Sequence, residues 1–226
     1  MNLDLSRKAA AELIGTAFLV AAVVGSGIAA SRLSPNAPGL ELLENSLITG
    51  ATLVALILTL QPVSAAFNPV VTVVEAALGL LRWADAAVLA AAQFIGGVIG
   101  VIVANLMFDL DAISISTHAR SAGNLWLSEV VATFGLVLVV FGAVRAGRTQ
   151  TIAFAVGGYI TAAYWFTSST SFANPAVTVA RMFSDTFAGI EPSSVLMFIA
   201  MQILGGGVGY FVVRFLYPQL TERSDA

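Results

Sequence analysis

The chain has no cysteine, a single histidine and few charges: 10% of its 226 residues are Asp, Glu, Lys or Arg, against about 25% in soluble domains. Without cysteine there is no disulfide, no thiolate metal ligand and no cysteine nucleophile, and the redox compartment leaves no trace. The one histidine, His118, falls in the polar stretch 109–124 and reads as a solvated loop residue. The hydroxyls between Thr167 and Ser171 have no recognisable base, so nothing supports nucleophilic catalysis, and no metal or cofactor is expected. A net charge of −3 gives no reason to expect nucleic acid.

What the chain does have is apolar sequence along its whole length: 58% hydrophobic residues and a mean hydropathy of +0.91. A hydrocarbon core of roughly 30 Å takes about 20 helical residues. Six segments qualify, at about 10–30, 44–62, 85–108, 125–144, 151–168 and 194–216. The first resembles a secretory signal in that Arg7 and Lys8 precede it, but Glu12 inside it, its length and the five later spans predict a retained helix. Trp83 and Trp126, near the starts of the third and fourth spans, read as interfacial anchors. Threading the spans alternately puts Arg7, Lys8, Arg82, Arg145, Arg148, Arg214 and Arg223 on one side and Arg32, Arg120 and Arg181 on the other. The excess of basic residues predicts both termini in the cytoplasm of a multi-pass inner-membrane protein, with lipid as its surroundings.

Three polar features of the first half return in order in the second. Glu12 in Ala-Glu-Leu-Ile-Gly-Thr pairs with Glu129 in Ser-Glu-Val-Val-Ala-Thr. Asn68-Pro69-Val70-Val71-Thr72-Val73 pairs with Asn174-Pro175-Ala176-Val177-Thr178-Val179. Gln93, Gly96 and Gly100 pair with Gln202, Gly205 and Gly209. The chain thus reads as one membrane domain over 1–226, with repeats at about 8–108 and 124–217. Three spans per repeat is an odd number, so the copies lie in opposite orientation.

Each Asn-Pro opens an apolar stretch too short to cross, about 68–81 and 174–185, or roughly 18 to 21 Å of helix. Related by inversion, the two enter from opposite faces and meet near the middle. Asn is a favoured N-cap and Pro suits the first helical position. The Asn amide can then serve backbone at one end and a lumen at the other. Two facing N-termini, each carrying about half a positive charge, oppose cations and leave neutral solutes unopposed. Non-helical backbone at membrane depth is tolerated where it lines a wet cavity or is covered by protein, which suggests a pore. Glu12 and Glu129 should face the protein interior with donors nearby, a proton relay being the sharper use they could have. The paired glycines, one helical turn apart, let backbones approach closely.

On Glu12 and Glu129, the two Asn-Pro motifs and Gln93 and Gln202, the sequence resembles the aquaporin and aquaglyceroporin family from Glu12 to about Tyr217. The resemblance implies an all-α membrane fold of six transmembrane helices and two re-entrant half-helices, usually a homotetramer with one pore per subunit. It also implies that Asn68 and Asn174 donate hydrogen bonds to solute at mid-pore, and that Glu12 and Glu129 brace the loops. Val70 stands where the family has Ala, and Val177 where it usually has the Arg of the outer constriction. Thr49 takes the second-span filter position, often aromatic. The other two positions fall at Ala162 and Ser171, or at Ala163 and Phe172 with a one-residue loop gap.

This set predicts a filter wider and less electropositive than a water-selective one, passing glycerol-sized or larger neutral molecules. The loss of the filter Arg with Val in its place resembles bacterial aquaglyceroporins of the arsenic-resistance type, which implies arsenous acid and methylated arsenicals as solutes. Arg181, four residues beyond Val177 and opposite Glu75 in the repeat, either charges the outer mouth or, as a capping or snorkelling side chain, stays out of it. The alternative reading is an ion-coupled secondary transporter with inverted repeats, which would need an ionisable residue near the midplane beyond the two glutamates.

Overall fold

A computed structural model describes residues 4–218; Arg223, counted above for orientation, lies outside them. The described residues form helices joined by loops, with no strand: α1 (Leu5–Leu33), α2 (Pro38–Leu60), α3 (Pro69–Ala77), α4 (Trp83–Met107), α5 (Gly123–Arg145), α6 (Ile152–Phe166), α7 (Pro175–Arg181) and α8 (Pro192–Leu216). Proline takes the first position of α2, α3, α7 and α8, where its missing N–H costs nothing. Asp4 caps α1 by accepting from the Ser6 N–H.

Five helices, α1, α2, α4, α5 and α8, are long and apolar enough to cross a membrane. The span predicted at 151–168 is shorter than expected. α6 has 15 residues, about 22 Å at 1.5 Å per residue, because it emerges from a 3-10 turn at Thr149–Thr151 and gives way to extended backbone at Thr167. The two short helices also stop earlier than predicted. α3 ends where Gly79 turns left-handed at φ +77° and the Leu80 N–H donates back to the Glu75 carbonyl, a glycine C-cap. α7 ends in i→i−3 bonds from the Met182 and Phe183 N–H groups.

Packing follows the repeat. α1 lies along α4 as α5 lies along α8, α2 meets α6 across the centre, and α7 touches α4 as α3 touches α8. The glycine pairs explain the long crossings: a Cβ on Gly96 would strike the Leu13 carbonyl, one on Gly100 the Ala17 carbonyl, and one on Gly205 the Val130 carbonyl. Gly96→Ala should therefore cost about 1–3 kcal/mol by overpacking, seen as a lower unfolding temperature in detergent. Gly158→Ala, where a Cβ meets nothing within 4 Å, serves as the control; equal behaviour of the two would contradict so close an α1–α4 contact.

Polarity is arranged inside out. Phe211, Phe215 and Leu196 are exposed on the outer surface, while Glu12, Gln93, Glu129 and Gln202 are fully buried. Trp83 is exposed, as an anchor would be, but Trp126 packs against the small cluster of Phe172, Ile190, Val195 and Phe198. The connection from α4 to α5 straps the loop after α7: the Ser116 N–H donates to the Met182 carbonyl at 2.9 Å and the Glu191 N–H to the His118 carbonyl at 2.8 Å, while Asn105 in the last turn of α4 donates its Nδ2 hydrogen to the Phe183 carbonyl at 3.0 Å.

Candidate functional site

The loops entering α3 and α7 take conformations a free chain disfavours: Phe67, Thr170, Ser171 and Ala173 all have positive φ. A buried carboxylate holds each in place. Glu12 accepts from the Ser64 Oγ at 2.5 Å, the Ala66 N–H at 2.8 Å, the Phe67 N–H at 2.7 Å and the Gln93 Nε2 at 2.7 Å. Glu129 accepts from the Ser169 Oγ at 2.6 Å, the Phe172 and Ala173 N–H groups at 2.9 Å and the Gln202 Nε2 at 2.7 Å. Each glutamine amide also donates to a threonine on the half-helix, Gln93 to Thr72 at 2.9 Å and Gln202 to Thr178 at 2.8 Å. Those hydroxyls donate in turn to the Asn68 and Asn174 carbonyls. Each glutamate thus accepts from four donors, three on its loop and one from a glutamine of a neighbouring helix.

Ser64, Ser169, Thr72 and Thr178 were not singled out from sequence. Thr72 and Thr178 stood at matching places in the two motifs, which was the available signal.

The asparagines cross. Asn68 Oδ1 accepts from the Val70 N–H at 3.0 Å, and Asn174 Oδ1 from the Ala176 and Val177 N–H groups at 3.0 and 3.3 Å. Asn68 Nδ2 donates to the Ala173 carbonyl and Asn174 Nδ2 to the Phe67 carbonyl, both at 2.7 Å. Each amide thus caps its own helix and fastens the opposite loop, which leaves one N–H. Pro69, Val70, Pro175 and Ala176 are buried at the junction of the two short helices.

Both asparagines border a cavity of about 330 Å³. Lys8 and Glu75 border it too, as do Val177 and Arg181 of α7. Between them the wall is largely apolar, with Leu53 and Ile57 of α2 and Val156 and Ile160 of α6. Thr49, Tyr164, Ser171, Phe172, Val177 and Arg181 line it together.

Thr49, Ser171 and Val177 therefore border the cavity, and so does Phe172, the alternative to Ser171. Ala162 does not: it is exposed on the far side of α6, and Ala163 is buried away from the lumen. The inner face of α6 runs through Val156, Ile160 and Tyr164 at i, i+4 spacing, and a position two residues from Tyr164 points to the opposite side. Tyr164 takes the place expected of Ala162, and its hydroxyl lies 3.2 Å from the Thr49 Oγ1. The cavity thus has an aromatic wall where a methyl group was expected.

Arg181 neither snorkels nor stands clear. It is 2% exposed, its Nε donates to the Ala188 carbonyl, and its guanidinium carbon lies 3.4 Å from the centre of the Phe172 ring. The carbonyl it holds belongs to the loop after α7 and not to the end of its own helix, so it does not cap α7, and it borders the cavity while almost wholly buried. His118 is exposed on the strap. Burial, then the positive charges of Arg120 and Arg181, hold its imidazole below the usual range.

Comparison with known proteins agrees with this geometry. The model of a family described as major intrinsic protein matches residues 1–151 and 143–226. The chain is 46% identical over 214 residues to aquaglyceroporin AqpS of Rhizobium meliloti (strain 1021), covering 94% of this chain and 91% of the relative. It is 26% identical over 216 residues to the probable aquaporin TIP2-2 of Oryza sativa subsp. japonica, covering 92% and 86%. Among solved structures, the X-ray structure of the aquaglyceroporin from Plasmodium falciparum superposes with a TM-score of 0.71 at 18% identity, over 96% of this chain and 97% of that one.

Proposed function

Because the chain belongs to the major intrinsic protein family, as an aquaglyceroporin-like membrane channel and not an enzyme, we propose that it passively conducts small neutral solutes of glycerol size past Asn68 and Asn174. The crossed asparagines carry this reading. Their remaining N–H groups are donors beside a largely apolar stretch of wall, so a solute with several hydroxyls trades its water for fixed partners as it passes. The two half-helix N-termini add partial positive charge that opposes cations.

In this reading α1, α2, α4, α5, α6 and α8 cross the bilayer, α3 and α7 are re-entrant, and both termini lie in the cytoplasm of an inner-membrane homotetramer. The selectivity filter is Thr49, Tyr164, Ser171 with Phe172, and Val177. Val177 and Thr49 leave it open where an Arg and an aromatic ring are usual, and Tyr164 restores part of the wall. Its one polar edge and one aromatic edge suit a molecule with hydroxyls around an apolar or soft centre. Glycerol fits that description, as do uncharged arsenous acid and the methylated arsenicals implied by the resemblance at Val177.

Coupled transport is disfavoured by the brace. Both buried carboxylates accept from four donors each, so neither is placed to pick up an ion in a transport cycle. Stopped-flow light scattering on proteoliposomes tests the reading with water, glycerol, urea and arsenous acid. Glycerol and arsenous acid should enter at rates independent of proton and sodium gradients. Entry that follows either gradient, passage of water alone, or conduction of cations would count against it.

A further inference from the structure

We infer that Arg181 and Arg120 form a binding site for a small monovalent oxyanion, a carboxylate or sulfonate with a small apolar substituent, at the α7 end of the channel cavity. The site goes beyond the conduction of neutral solutes and rests on side-chain geometry. Arg181 is 2% exposed yet borders the cavity. Its Nε is spent on the Ala188 carbonyl, and its two terminal nitrogens have no hydrogen-bond partner among the described residues. Arg120, 9% exposed, reaches the same phenyl ring from the strap, set back from the cavity wall behind Arg181 and Phe172. Its Nε donates to the Gly189 carbonyl at 2.9 Å and its Nη2 to the Phe187 carbonyl at 3.4 Å, and its guanidinium carbon lies 5.0 Å from the centre of the Phe172 ring. Two guanidinium groups therefore lean on one phenyl ring beside the lumen.

Neither has a carboxylate partner. The ion pair among the described residues is Arg82 with Asp85. Of the acids in this region, Glu129 is saturated by its four donors. Asp185 accepts from the Thr117 N–H and Oγ1, and Glu191 makes no ion pair. Burial pulls the Arg120 guanidinium down to about 10, which leaves it charged at neutral pH.

Buried charge without a counter-charge is costly. Carbonyl oxygens and the end of α7 offset only part of it. A neutral solute leaves the remainder in place, whereas an oxyanion removes it. The free edge of Arg181 is a planar donor fork matched to two oxygens of a carboxylate or sulfonate. Val177, on the same wall one helical turn from Arg181, offers apolar surface to a methyl group. Glu75, which also borders the cavity, opposes passage of the anion onward, so the bound anion competes with neutral cargo for the mouth.

Methanesulfonate, anionic at any working pH, is the probe. Isothermal titration calorimetry on the purified full-length protein should show saturable binding of choline methanesulfonate, with choline chloride as the control for ionic strength. Arg181→Gln should weaken binding about tenfold or more, since hydrogen bonds to charged groups are the strong ones, and Arg120→Gln should weaken it to a lesser degree. In proteoliposomes, external methanesulfonate should slow glycerol entry saturably. The inference is overturned if the wild type gives no saturable heat, if chloride binds equally well, or if neither variant changes the affinity. Should Arg181→Gln fail to fold, Arg120→Gln and the wild-type competition decide, and unchanged affinity or uninhibited glycerol entry rejects the site. Saturable binding without any glycerol entry would reject the channel reading and leave the site standing.

Discussion

Glu129→Ala should destabilise the protein by about 3–5 kcal/mol, the range for removing one partner of a buried charged network. The Ser169 hydroxyl, the Phe172 and Ala173 N–H groups and the Gln202 amide all lose their acceptor at once. A buried donor left unmet costs about 1–3 kcal/mol, and water entering from the adjacent cavity recovers part of the total. Glu129→Gln should cost less, because one carbonyl oxygen still accepts, but its amide turns donors toward donors.

The effect should spread beyond stability. Ala173 presents the carbonyl that fastens Asn68, so releasing its loop loosens the crossing of both asparagines. Glu12→Ala should behave alike through Ser64, Ala66, Phe67 and Gln93. Thermal unfolding in detergent measures the cost, and an unfolding temperature unchanged by both substitutions would show that the carboxylates do not hold the loops.

These braces were legible because a polar residue inside apolar sequence has few places to go. Glu12, Glu129, Gln93, Gln202 and the asparagines could be read from the repeat, and the glycine pairs from their spacing. The register of α6 was not legible. Ala162 and Tyr164 both lie in a helix that is apolar all round, because lipid accepts the same side chains as the protein interior, and periodicity then ceases to separate inner from outer faces.

The setting of Arg181 was half legible. Helical spacing placed it beyond Val177, but its partners, the Ala188 carbonyl and the Phe172 ring, come from loops whose course depends on tertiary contacts. The early end of α3 was legible in principle, since Gly79 occupies a left-handed position that other residues resist. The missed serines of the brace, Ser64 and Ser169, stand at unequal distances before their asparagines, which hid their equivalence.

Val177→Arg should lower glycerol entry at least about tenfold, a rise of about 1.4 kcal/mol in the barrier, while water entry falls less. Val177 borders the cavity with Thr49, Tyr164 and Phe172, so a long side chain here projects across an aperture that already has two aromatic walls. Its guanidinium would also start one helical turn, roughly 6 Å along the axis, from Arg181. Two like charges in a poorly screened lumen repel, and each would hold water that a neutral polyol must displace. Size and charge are separated by Val177→Met, which adds bulk alone and should slow glycerol without altering its response to salt. If Val177→Arg leaves glycerol entry unchanged, the narrowest passage lies elsewhere, and Tyr164 with its bond to Thr49 becomes the side chain that sets the size of the cargo.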